Sequence, residues 1–208
     1  MNTNYDPREL CCAWCYGQPA LKKCANCPRR YCSRDCQVLD WKLSGGCHKI
    51  WCGKSGEHCA DYEISEAGEK GLGMFAKRDF RRGEKILVER SVLTRTPNGG
   101  AFTRSEIDKY PSVAQAVMSL APTTATSIQA KFVTNCAALD DEETGGNDKG
   151  SGIFVHFSRV NHDCIGNSTH YYDPDLSLML LVADCDIAAG TEITFSYACG
   201  ITSAKRAV

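Results

Sequence analysis

The chain has 208 residues, 43% hydrophobic and 24% charged, with a formal net charge of −1. These are ordinary globular values, which exclude disorder throughout, and the near-zero charge excludes binding nucleic acid or an anionic membrane by bulk attraction. The longest apolar run, Leu178 to Ala183, is far below the ~20 residues that span a bilayer, and polar Met1 to Leu10 lacks the apolar core of a secretion signal.

Cysteine is the outlier: there are 14, and ten fall at or before Cys59. Secreted domains use such density for disulfides and intracellular ones for metal. Without a signal peptide, metal in a soluble intracellular chain is the expectation. Residues 1–60 hold nine Lys/Arg against five Asp/Glu, whereas the remainder is net acidic. Composition and charge both change near residue 60, where a domain boundary is expected.

From the N-terminus, the pairs Cys12-x2-Cys15, Cys24-x2-Cys27, Cys32-x3-Cys36 and His48-x3-Cys52 follow one another. Four pairs supply eight ligands, enough for two closed tetrahedral zinc sites, and thiolate with imidazole suits zinc better than calcium or magnesium. Residues four apart share one face of a helical turn, which accounts for the third and fourth pairs. A helix fits between them, with Ser33 as N-cap, Asp35 in its first turn and Gly45-Gly46 as its end. The competing reading is a set of buried thiols or a disulfide framework. Cys11 lacks the two-residue gap that Cys12 keeps, and Cys47 and Cys59 lie outside the pattern.

The full spacing, Cys-x2-Cys-x8-Cys-x2-Cys-x4-Cys-x3-Cys-x11-His-x3-Cys, resembles the MYND zinc finger from Cys12 to Cys52. The resemblance implies interleaved sites: Cys12, Cys15, Cys32 and Cys36 on one zinc, and Cys24, Cys27, His48 and Cys52 on the other. It also implies a proline-containing peptide as a partner of the finger, or packing against its own chain. The basic residues Lys22, Lys23, Arg29, Arg30 and Arg34 are read as a solvated face rather than a nucleic-acid contact.

After residue 60 the pattern turns to short strands: Asp61 to Ser65, Gly71 to Ala76, Lys85 to Val88, Ile153 to Phe157, Leu176 to Ala183 and Glu192 to Tyr197, with a turn at Arg81 to Glu84. Residues 104–120 suggest a helix interrupted at Pro111, and 125–138 a second helix. Asp140 to Gly152 is acidic and glycine-rich, hence a loop. Many strands and few helices predict a β-rich α+β domain. Gly71-x-Gly73 lacks the third glycine of a dinucleotide fingerprint and points to close backbone approach to a ligand.

Lys70-Gly-Leu-Gly-Met74, Arg159-Val-Asn-His-Asp-Cys-Ile-Gly-Asn167 and Gly190-Thr-Glu-Ile-Thr-Phe-Ser-Tyr197 stand in the order and spacing of the SET domain, which the chain resembles over roughly residues 60–199. With the finger, it resembles the SET-and-MYND lysine methyltransferases. That resemblance implies a small zinc-stabilised finger at 12–52 followed by a SET domain at 60–208. The SET domain would have a pseudoknot-like core, a helical and loop insert at 99–150 and a truncated C-terminal end. It implies S-adenosylmethionine and two structural zinc ions as cofactors, a lysine in a protein as substrate, and residence in the nucleus, the cytoplasm or both. Gly71, Leu72 and Gly73 would approach the cofactor through their backbone. Asn161 and His162 would bind its amino-acid end and adenine side, and Asn135 would also touch it. Tyr197 would be the catalytic tyrosine, with Tyr171, Tyr172 and Phe195 as candidate aromatic walls.

The pattern departs from the family in three ways. The finger precedes the whole SET domain, Gly166 stands where proline is usual, and the chain stops at Val208 without the cysteine-rich post-SET segment that would join Cys164 around a third zinc. A methyltransferase is therefore weighed against a non-catalytic adaptor with a truncated SET domain.

Overall fold

A computed structural model of the chain describes residues 5–42, 48–54, 61–97, 102–139 and 150–197. The cysteine-rich part contains β1 (Lys22–Lys23) paired with β2 (Arg30–Tyr31), then α1 (Arg34–Lys42) and α2 (His48–Trp51). Ser33 caps α1, its Oγ accepting from Cys36 N at 3.1 Å, and Asp35 lies in the first turn, where the helix dipole favours it. Gly45 and Gly46, expected to end that helix, lie outside the described residues, as do Cys47, Cys59, residues 140–149 of the acidic loop, and residues 198–208.

The rest is mostly sheet. It runs β3 (Tyr62–Glu66), β4 (Leu72–Ala76), β5 (Lys85–Arg90), β6 (Leu93–Arg95), β7 (Phe102–Ser105), α3 (Pro111–Met118), α4 (Ile128–Asn135), β8 (Ala137–Ala138), β9 (Ser151–Ile153), β10 (Asn161–His162), β11 (Ser168–Asp173), β12 (Leu178–Ala183) and β13 (Glu192–Phe195). Three small sheets form, in the orders β10-β13-β4-β3, β11-β12-β5 and β7-β6-β9-β8. β12 sits between two partners and is apolar along its length, so it reads as a run rather than an alternation.

Two local expectations are corrected. Residues 104–105 finish a strand, and Pro111 does not interrupt a helix but starts one, since its fixed φ and missing N–H suit the first helical position. The strand expected from Ile153 to Phe157 ends at Ile153, because the His156 and Phe157 amides turn to the Glu89 carboxylate at 2.9 and 2.8 Å. Gly166, standing where proline is usual, lies close against β13. A Cβ there would come within 2.6 Å of Phe195 Cα and 2.8 Å of Thr194 O, so glycine lets this segment press against β13.

The cysteine-rich part is built into the sheets. Tyr5, Cys11 and Tyr16 share one core with Val92, Leu93 and the buried face of α3. The Arg90 guanidinium lies 4.0 Å over the Trp14 ring and donates to Trp14 O at 2.6 Å. Trp14 Nε1 donates to the Tyr110 hydroxyl, and Ser112 Oγ donates to Cys15 O at 2.6 Å. On the other side, Trp51 packs against Val88, Leu178 and Leu180.

Candidate functional site: two cysteine sets and a polar cluster on three strands

The structure gathers two ligand sets. Cys12, Cys15, Cys32 and Cys36 form one, and Cys24, Cys27, His48 and Cys52 the other; within each set the donor atoms lie within 4.8 Å of one another. In the first set, Sγ atoms stand 3.5, 3.6 and 3.7 Å apart. A tetrahedron with Zn–S bonds of about 2.3 Å has an edge of about 3.8 Å, so the thiols are spaced as one ion would hold them. In the second set, Cys24 and Cys52 are 3.9 Å apart, and His48 Nε2 is 3.2 Å from Cys27 Sγ. Helical turns bring the later pairs together: Cys36 is in α1, and Cys52 N donates to His48 O at 2.8 Å. With the sulfurs crowded, hydrogen bonding to Cys15 and burial hold the Cys12 thiol up at about 12. A cation among the four would reverse that preference, because a bound metal takes the thiolate.

The second candidate site lies where β10 runs parallel to β13, with β4 on the other side of β13. Asn161 Nδ2 donates to Glu192 Oε1 at 2.7 Å and to Leu72 O at 3.3 Å. Both partners are acceptors, which fixes the amide orientation. Its carbonyl oxygen accepts no hydrogen bond among the described residues. Gly73 leaves room for this pair: a Cβ there would fall 2.7 Å from Glu192 Oε1 and 3.0 Å from Asn161 Nδ2. Gly71, at φ +78°, turns the chain from a short 3-10 turn into β4. Lys70 Nζ lies 3.0 Å from Glu192 Oε2. Asn167 ties this segment to β13, donating to Glu192 O and accepting from Thr194 N.

His162 and Tyr197 meet at the same end. Tyr197 N donates to His162 Nδ1 at 3.0 Å, so the His162 proton sits on Nε2, 3.3 Å from Cys164 Sγ. The Tyr197 hydroxyl donates to Val160 O at 2.7 Å. Burial and the Glu192 charge raise its pKa, which keeps it a phenol at neutral pH. Phe195 joins Tyr197 to a ring cluster with Phe157 and His170.

Of the sequence-predicted residues, Gly71, Leu72, Gly73, Asn161, His162 and Tyr197 are thus assembled around β10 and β13. Asn135 is joined to them only indirectly. Its side-chain amide donates to Ala121 O and Lys131 O, closing the α3–α4 connection, while its backbone oxygen accepts from Ser158 Oγ at 3.0 Å. Among the proposed walls, Phe195 lies beside Tyr197, Tyr172 packs on Phe154 and Tyr171 is exposed. Sequence reasoning missed Glu192, which holds Asn161; it stood inside a quoted motif but was read only as the start of a strand.

Residues 71–198 match the SET domain family. That is more than half of the chain, and the chain belongs to this family. It is 29% identical over 139 residues to histone-lysine N-methyltransferase set5 of Schizosaccharomyces pombe, covering 65% of this chain and 41% of that protein. It is 24% identical over 220 residues to histone-lysine N-methyltransferase ASHR1 of Arabidopsis thaliana, covering 94% of this chain and 42% of that protein. The chain therefore spans about two fifths of the length of these curated relatives. A solved structure of KRYPTONITE with DNA, a histone H3 peptide and SAH aligns at TM-score 0.39 and 11% identity, over 67% of this chain and 24% of that one. Among the described residues, no helix is long and apolar enough to cross a membrane.

Proposed function

We propose that the chain is an S-adenosylmethionine-dependent protein-lysine N-methyltransferase, with a MYND-type zinc finger at residues 12–52 and a SET domain at 60–208. The observation that carries this reading is the meeting of Gly73, Asn161 and Glu192 with the His162–Tyr197 pair across β4, β10 and β13. The donor set fits the cofactor. The free side-chain carbonyl oxygen of Asn161 is an acceptor for an ammonium group, and Gly71, with open space beside it, lets a ligand approach the backbone while Gly73 makes room for the Asn161–Glu192 pair. When bound, the cofactor supplies a methyl group activated as a sulfonium.

The chain's own residues do the rest. The Tyr197 hydroxyl spends its hydrogen on Val160 O, so its lone pairs are left to accept from an incoming lysine amine and aim it. Phe195 and Phe157 offer apolar ring surface beside it, which favours a cationic group. The eight Cys and His ligands would hold two zinc ions that stabilise the fold rather than take part in transfer. On the finger, Gln37, Val38 and Trp41 form a shallow groove edged by Lys22, Arg34 and Lys42. A proline-containing peptide would lie here and bring a protein substrate in the nucleus or cytoplasm to the SET domain.

Transfer of labelled methyl groups to a library of lysine peptides tests the reading. Turnover that Tyr197→Phe abolishes is expected; no turnover with any peptide would contradict it. A non-catalytic adaptor is the second reading, favoured by the half-exposed Tyr197 ring. It predicts peptide binding by the finger without methyl transfer.

A further inference from the structure

Beneath the second ligand set lies a buried polar chain that metal coordination by the four ligands does not itself require. Tyr31 and His48 are fully buried, and Asp40 and Arg29 nearly so. The Tyr31 hydroxyl donates to Asp40 Oδ2 at 2.7 Å and lies 2.7 Å from His48 Nδ1. Asp40 is paired with Arg29, whose Nε is 2.9 Å from the same carboxylate oxygen. The Trp41 and His48 rings meet edge to face, with centroids 5.3 Å apart and planes at 89°.

For the neutral imidazole that a metal ligand requires, the proton count along this chain has one solution. Tyr31 has a single hydrogen, and the buried carboxylate takes it, since an ionised acceptor makes the stronger bond. The phenol oxygen then has only lone pairs for His48, so Nδ1 must be the protonated nitrogen. That leaves Nε2 bare, and Nε2 is the atom that faces Cys27 Sγ and the centre of the set. The opposite tautomer would leave Nδ1 and Asp40 competing for one hydrogen and drive an N–H into the thiolates. A buried ion pair is weak as a stabiliser, because desolvation offsets its attraction; a positional role accounts for its presence in so small a unit.

We infer that Tyr31 and Asp40 are positioning residues for the second metal site. Through the Tyr31 hydroxyl, they lock His48 in the tautomer and ring orientation that bind zinc through Nε2. The inference rests on the zinc reading proposed above and adds which residues outside the ligand sets set the affinity of one site. Supporting groups of this kind alter metal affinity by about 10- to 100-fold.

The test uses the full chain loaded with zinc and titrated with a chromogenic chelator. Tyr31→Phe removes only the hydroxyl and leaves the Asp40–Arg29 pair intact. It should release one of the two zinc ions at chelator concentrations at least about tenfold lower than wild type, while the other ion is held as before. Unchanged retention of both ions would overturn the inference. Nitrogen-15 NMR of the wild-type chain gives an independent reading even if the variant does not fold. A protonated His48 Nδ1 with Nε2 on the metal is expected, and the reverse assignment overturns the relay. A wild-type chain that takes up fewer than two zinc ions would instead bring down the zinc reading, and the relay with it.

Discussion

The Tyr16 hydroxyl donates to Glu89 Oε1 at 2.6 Å, joining the turn after Cys15 to strand β5 in a space closed to solvent. Burial and the Glu89 charge raise the Tyr16 pKa, so the phenol stays a donor. The same carboxylate also accepts from the His156 and Phe157 amides. One buried charge therefore holds together the cysteine-rich part, β5 and the turn that leads into β10. A hydrogen bond to a charged group contributes about 1.5–3 kcal/mol. Tyr16→Phe should lower unfolding stability by that amount in a urea titration. Glu89→Gln should cost more, because its amide would turn an N–H toward another donor. A change below about 0.5 kcal/mol for both would show that the contact does not hold the two parts together.

The two ligand sets should respond differently to loss of a thiol. The first set is flanked by Trp14 and Tyr16, which bond to Arg90 and Glu89 of β5. The second reaches the sheets through Trp51. Cys15→Ser should lower the resistance of the SET part to proteolysis along with its zinc content. Cys24→Ser should remove one zinc and unfold the residues around it, yet leave the sheets resistant. Equal loss in both variants would contradict this difference.

Asn161→Ala should weaken S-adenosylmethionine binding by about 1–3 kcal/mol, the cost of leaving polar partners unsatisfied. Gly73→Ala should do the same indirectly, since its methyl group would displace the Asn161–Glu192 pair. Fluorescence or calorimetric titration of each variant checks both, and wild-type affinity in Asn161→Ala would place that residue outside the cofactor site.

His170 packs against both Phe157 and Phe195, and burial lowers its pKa from 6.5 to about 4. The unfolded chain therefore binds this proton more readily than the folded one. The resulting stability is present above about pH 6.5 and is lost as pH falls toward 4. Between about pH 7.5 and 5.5, the wild type should lose about 1.4 kcal/mol more than His170→Leu, read from denaturant midpoints. Parallel pH profiles would contradict the assigned burial.

Short-range chemistry was legible in the sequence. The four ligand pairs follow from two- and three-residue gaps, their interleaved grouping was implied by the MYND resemblance and is the one the structure gathers, and the Ser33 cap follows from its place before Cys36. Asn161, His162 and Tyr197 stood out because they lie in the two motifs that resemble the SET domain. What the sequence hid was long-range or shared between roles. Nothing periodic links Tyr16 to Glu89, or Trp14 to Arg90. Pro111 signals a helix break and a helix start equally well, and here the N1 position decides it. Glu89 falls just past the strand expected over Lys85 to Val88, yet it lies in β5 and its carboxylate ends β9 by taking two amides. Asp40 and Tyr31 read as an ordinary helix acid and strand aromatic until the structure places both against His48.

Calorimetric titration of the zinc-loaded chain with S-adenosylmethionine tests the proposed SET cofactor site most directly. Binding of one cofactor per chain, weakened by Asn161→Ala and unaffected by Tyr31→Phe at saturating zinc, is the expected result. Absence of binding at millimolar cofactor would contradict the methyltransferase reading.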